Sequence, residues 1–129
     1  MIDQGYDEYR DRMVKLIREF KKDLPGPLAG FRTLHQQSMK DGVLSGKHKE
    51  LIAIGIAICT GCEGCIAFHV RDAMEKGATS EEIIETIGVA LLMGGGPALM
   101  HGLEALEAIQ ELEDKEAQTK SLQIMKAGG

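Results

Sequence analysis

A chain of 129 residues, 43% hydrophobic and 27% charged, has the size and composition of one globular domain, which excludes a multidomain machine and wholesale disorder. A net charge of -5 with scattered basic residues, together with two Tyr, three Phe and no Trp, argues against a nucleic-acid partner and for an aliphatic core. Three cysteines are too few for a secreted disulfide scaffold and leave one unpaired, so a reducing, cytoplasmic setting is expected.

The opening residues, Met1 to Glu8, carry neither the basic start nor the apolar run of an export signal. From Tyr6 the apolar positions Tyr6, Tyr9, Met13, Leu16, Ile17, Phe20 and Leu24 recur every three or four residues, the pattern of an amphipathic helix, which Pro25 and Pro27 then stop. A shorter helix is expected to hold Leu28, Phe31, Leu34 and Met39. The Asp41-Gly42 and Ser45-Gly46 breaks lead into a third helix, Lys47 to Ile58, so apolar that it reads as buried on most sides. A fourth is predicted from Cys62 to Lys76, ended by Gly77. Thr79-Ser80-Glu81-Glu82 is a capping box opening a fifth.

Thr86 to Leu103 contains no Asp, Glu, Lys or Arg, but Gly94-Gly95-Gly96-Pro97 interrupts it, so two helices are expected rather than a membrane span. No Gly-Lys-Ser/Thr follows the glycines and no strand precedes them, which favours close helix packing over a phosphate cradle. Past Glu113 the pattern is lost and residues 114–129 read as a frayed helix or loose tail. The fold class is therefore all-α: one compact domain of about six helices spanning residues 1–129.

One cluster stands out as chemistry: Glu50, Cys62-Glu63-Gly64-Cys65 and His69. On a helix, residues three or four apart share a face, so Cys62, Cys65 and His69 point one way. Alpha carbons three residues apart lie roughly 5 Å from each other, within disulfide range. Cys62 falls at a helix start, where free amides favour a thiolate, and His69 can take a proton. If the third and fourth helices fold back about Thr60-Gly61, a rise of about 1.5 Å per residue sets Glu50 level with roughly position 71, opposite His69. A carboxylate there would orient the imidazole, giving a relay from Glu50 through His69 to the thiols.

Glu50, eleven residues, Cys62-x-x-Cys65, three residues, His69 resembles the pattern of the carboxymuconolactone decarboxylase-like superfamily, in its alkylhydroperoxidase D-like branch. The similarity runs over about residues 40–110 and takes in Gly77-Ala78-Thr79 and the glycine run. The resemblance implies an alkylhydroperoxidase D-like helical bundle assembled as a homotrimer or homohexamer, without bound cofactor. It implies redox cysteines that reduce hydroperoxides or disulfides with electrons from a lipoyl group or other thiol donor, and a peroxiredoxin or lipoyl-bearing protein as partner. Cys65 is then the residue that attacks peroxide, and Cys62 resolves the sulfenic acid; towards an incoming thiol the roles reverse, with Cys62 the more exposed. The best-studied pattern has a His before the second Cys. Gly64 stands here, which favours thiol-disulfide exchange over peroxide reduction.

Other readings remain open at this point. Cys62 and Cys65 also suit inert packing, or a zinc site with His69 and Glu50, although no second Cys-x-x-Cys completes the usual set. Glu50 and His69 would serve a lyase or decarboxylase as acid and base. Cys59, at the end of the aliphatic run, is expected in the core. His101 reads as a satisfied core residue, with approach to the cysteines as the alternative, and His35 and His48 read as surface or loop residues.

Overall fold

The computed structural model describes Ile2 and residues 4–128, and among them every regular element is a helix. In order these are α1 (Tyr6–Phe20), α2 (Pro25–Met39), α3 (Gly46–Thr60), α4 (Glu63–Glu75), α5 (Ser80–Gly94) and α6 (Gly96–Ala127). No helix among the described residues is long and apolar enough to cross a membrane.

The core lies between α3, α4, α5 and α6, and it is built from small and β-branched side chains: Ile54, Ala57, Ile58, Ile66, Ala67, Val70, Ile83, Ala90, Ala98, Ala105 and Ile109 are all buried. Alanines and glycines let the helices approach closely. A Cβ on Gly102 would meet Ile87 Cγ2 at 2.7 Å, and one on Gly94 would meet the Ala98 Cβ at 2.7 Å, so part of the glycine run serves packing, as expected. Gly95, at φ 69°, makes the turn that separates α5 from α6 and so divides the uncharged segment into two helices.

The predicted capping box is present at α5: the Thr79 hydroxyl accepts from the Glu82 amide and the Glu82 carboxylate accepts from the Thr79 amide. Those contacts, the backbone bond first and Lys47 second, hold the Glu82 carboxyl below its ordinary value. α1 has no cap of its own. The Glu111 carboxylate on α6 accepts from the Tyr6 and Asp7 amides instead.

Two further contacts fix α1 to the bundle. The Tyr6 hydroxyl donates to the Glu104 carbonyl, and Arg10, 1% exposed, donates to the Ala67 carbonyl of α4 and pairs with Asp7. Burial, followed by the charges of Glu107, Glu104, Glu63 and Glu111, holds the Tyr6 phenol well above its ordinary value, so it remains a donor.

Several expectations are corrected. α1 ends at Phe20 instead of Leu24, and Leu16, Ile17 and Phe20 on its predicted apolar face are exposed, because only its first half docks. α3 is not buried on most sides. It turns Ile54, Ala57 and Ile58 inward and leaves Ile52 and Ile56 in the open, since α4 and α5 cover one side of it. α2 buries no residue at all. Residues 114–127 are not a loose tail but continue α6 as helix, with every side chain exposed; residue 129 lies outside the described residues. Their Ala, Glu, Lys, Gln, Leu and Met are strong helix formers, and a Glu116–Lys120 pair spans one turn.

Candidate active site

The third and fourth helices form the hairpin on which the site is built. Ser45 caps α3, its hydroxyl accepting from the His48 amide at 3.2 Å, and Gly61 closes the helix in the left-handed conformation. Cys62 follows at once as the N-cap of α4, outside the helix proper, where the sequence pattern had placed it in the first turn. Its sulfur accepts from the Cys65 amide at 3.2 Å, so one of the free amides of the helix start does face this sulfur.

Cys62 and Cys65 are joined by a disulfide with alpha carbons 5.2 Å apart. Cys65 is exposed and Cys62 is half-buried. That reverses the expected order of exposure, because an N-cap side chain turns back over the helix end while the third position faces outward.

Folding back at Gly61 brings Glu50 to His69, the register that the rise per residue requires. Glu50 Oε2 lies 2.7 Å from His69 Nδ1, and Glu50 Oε1 accepts from Lys76 Nζ at 2.9 Å. Glu50 is 1% exposed, and a carboxylate so buried needs such partners. With Nδ1 engaged, His69 has Nε2 as its other edge, and His69 stands one turn beyond Cys65 on the same face of α4.

Asp72 lies beside this pair, and single donor atoms of Glu50, His69 and Asp72 fall within 4.8 Å of one another. Lys76 holds one carboxylate and Arg71 the other, through Nε at 3.3 Å and Nη2 at 3.2 Å. The arrangement is an ion-pair network. The zinc set weighed from the sequence would also need both sulfurs as thiolates, and here they are bonded to each other.

Two residues, His101 and Cys59, lie elsewhere than the sequence pattern put them, and a third, His35, has a neighbour that the pattern did not show. His35, taken for a surface residue, is exposed, yet its ring stacks on His69 with centroids 6.2 Å apart. Periodicity gave no signal for this, since α2 has no buried face. His101 is not a core residue: its Nδ1 is 3.2 Å from Glu104 Oε2, and its ring borders Gly61 beside the cysteine turn. Cys59 is exposed as well. It opens onto an apolar groove of about 550 Å³ between α3 and α5, lined by Ile52, Ile56, Val89 and Met93, and its thiol is 3.5 Å from the Ala90 carbonyl. His48 is on the surface as expected, 2.7 Å from the Ser45 hydroxyl.

The profile of the Carboxymuconolactone decarboxylase family matches residues 25–108, from the first turn of α2 into α6. A carboxymuconolactone decarboxylase family protein from Legionella pneumophila superposes with a TM-score of 0.79 at 42% identity, over 82% of this chain and 95% of that one. A Thermotoga maritima member, named in connection with an antioxidative response, superposes with a TM-score of 0.74 at 27% identity, over 84% and 95% of the two chains. An uncharacterized protein of Cupriavidus necator is 31% identical over 77% of this chain and 90% of its own length.

Proposed function

This chain belongs to the carboxymuconolactone decarboxylase family, and from that premise we propose that it is a thiol-disulfide oxidoreductase of the alkylhydroperoxidase type. The observation that carries the proposal is the Cys62–Cys65 bond at an accessible helix start, with the Glu50–His69 pair on the same hairpin. The antioxidative connection of the Thermotoga relative agrees with it.

In this reading a donor dithiol, a lipoyl group or another of that class, opens the disulfide. Its thiolate attacks the exposed Cys65 sulfur, and Cys62 leaves as a thiolate held by the Cys65 amide. The donor's second thiolate then displaces Cys65 from the mixed disulfide, so the donor is oxidised to its own disulfide and the chain is left with two reduced sulfurs.

The Cys65 thiolate next attacks a hydroperoxide. The O–O bond breaks, the leaving oxygen takes a proton and departs as alcohol, and Cys65 becomes a sulfenic acid. Cys62 condenses with it, releasing water and restoring the disulfide. A disulfide acceptor, including one on a peroxiredoxin, would be reduced by the same pair through a mixed disulfide. His69 carries the proton at Cys65, and buried Glu50 fixes its ring.

The same reading sets the protein in a reducing cytoplasm as a homotrimer or homohexamer, assembled through the apolar groove between α3 and α5. Cys62→Ser and Cys65→Ser each serve as a test, with an organic hydroperoxide as acceptor and dihydrolipoamide as donor. Each variant is expected to lose at least about 100-fold in turnover. Turnover that survives in both variants would contradict the dithiol mechanism.

A further inference from the structure

The cysteine turn is flanked by a second carboxylate and imidazole pair. His101 Nδ1 lies 3.2 Å from Glu104 Oε2, three residues along α6, which leaves Nε2 as the ring's other edge. That edge faces the junction of α3 and α4: a Cβ added to Gly61 would lie 3.0 Å from Nε2, with the two adjoining ring carbons at 3.4 and 3.5 Å. Gly61, at φ 71°, therefore both turns the chain and leaves the space that the ring occupies. The residue that follows it is Cys62. Among the described residues, Glu104 on its own helix and Glu63 at the first position of α4 are the acidic groups that interact with the ring.

Opening a disulfide to two thiols takes up two protons, and the pair at Glu50 and His69 stands on the Cys65 face of α4. We propose that the site holds one imidazole for each sulfur: His69, backed by Glu50, for Cys65, and His101, backed by Glu104, for Cys62. This rests on the oxidoreductase reading above. When a donor dithiol reduces the bond, its two thiol protons pass through the two rings to the two cysteine sulfurs; on reoxidation by hydroperoxide they leave again, into the alcohol and water formed. A ring beside each sulfur also stabilises its thiolate when the ring is charged, so each ring should govern the acidity of its own cysteine.

The test uses two single-thiol forms of the full chain in a Cys59→Ser background, since Cys59 is an exposed free thiol: Cys65→Ser isolates Cys62 and Cys62→Ser isolates Cys65. The thiol pKa of each is read from the pH dependence of alkylation by iodoacetamide. Adding His101→Gln is expected to raise the Cys62 value by about one unit and to leave the Cys65 value within about 0.2 units. Glu104→Gln, which keeps the ring and removes its anion, should move Cys62 in the same direction by less, and it decides the matter if His101→Gln does not fold. His101→Lys should return Cys62 towards its starting value. An unmoved Cys62, or equal shifts at both sulfurs, overturns the proposal. Because these readouts need no turnover, they are separate from the oxidoreductase reading, which fails on its own if the wild-type dithiol reduces neither hydroperoxide nor disulfide.

Discussion

Glu50 is held from two sides, by His69 at 2.7 Å and Lys76 at 2.9 Å, and it has almost no access to water. Glu50→Gln keeps the shape and removes the charge that orients and supports the imidazole. The oxidoreductase reading expects about a 10- to 100-fold fall in the peroxide step, measured in single turnover with reduced protein, with the disulfide still able to form. This pairing was legible in the sequence, because a helical hairpin turning at Gly61 leaves few registers and one of them sets Glu50 against His69. His35 and His101 were not legible in the same way. Each reaches the site through the placement of a whole helix, α2 or α6, and neither spacing along the chain nor residue type encodes that placement.

At the level of helices, the attachment of α1 depends on charge. Asp7 pairs with Arg10 and Lys115. Its carboxyl lies below its ordinary value because the Lys115 hydrogen bond outweighs the opposing cost of burial, with the Arg10 charge adding to the lowering. A carboxyl lowered by folding contributes stability that is complete above its unfolded value, near 3.8, and that is lost as pH falls through the folded value. Amide exchange of α1 should therefore accelerate below about pH 4, ahead of α3 to α5, and Asp7→Asn should flatten that dependence. The junction of α5 and α6 depends on space instead. Gly102→Ala drives a methyl against Ile87 and should destabilise the fold by about 1–3 kcal/mol in thermal melts; an unchanged melting temperature would contradict this packing. Helix ends were well marked in the sequence, by Thr79 and by the Gly and Pro punctuation. The end of α6 reads as either a frayed helix or a loose tail because apolar periodicity reports packing, and residues 114–127 are helical by propensity without packing on the bundle.

For the molecule as a whole, Leu44, Ile52, Ile56, Val89 and Met93 form an apolar surface around the groove between α3 and α5, more than a lone small domain commonly leaves in water. Native mass spectrometry should find a trimer or hexamer, and Val89→Glu with Ile56→Glu should dissociate it; a wild-type monomer at micromolar concentration would contradict the proposed assembly. The all-helical class and the single core followed from periodicity and composition, whereas the partition of apolar residues between core and exposed faces did not, because both kinds share one pattern. The most direct test of the dithiol cycle is the intact mass of the reduced chain before and after one equivalent of an organic hydroperoxide. The account predicts a loss of 2 Da per chain with one alcohol formed, from the two hydrogens given up as Cys62 and Cys65 join, and in Cys62→Ser a gain of 16 Da at Cys65 instead. An unchanged mass, with the hydroperoxide intact, would contradict it.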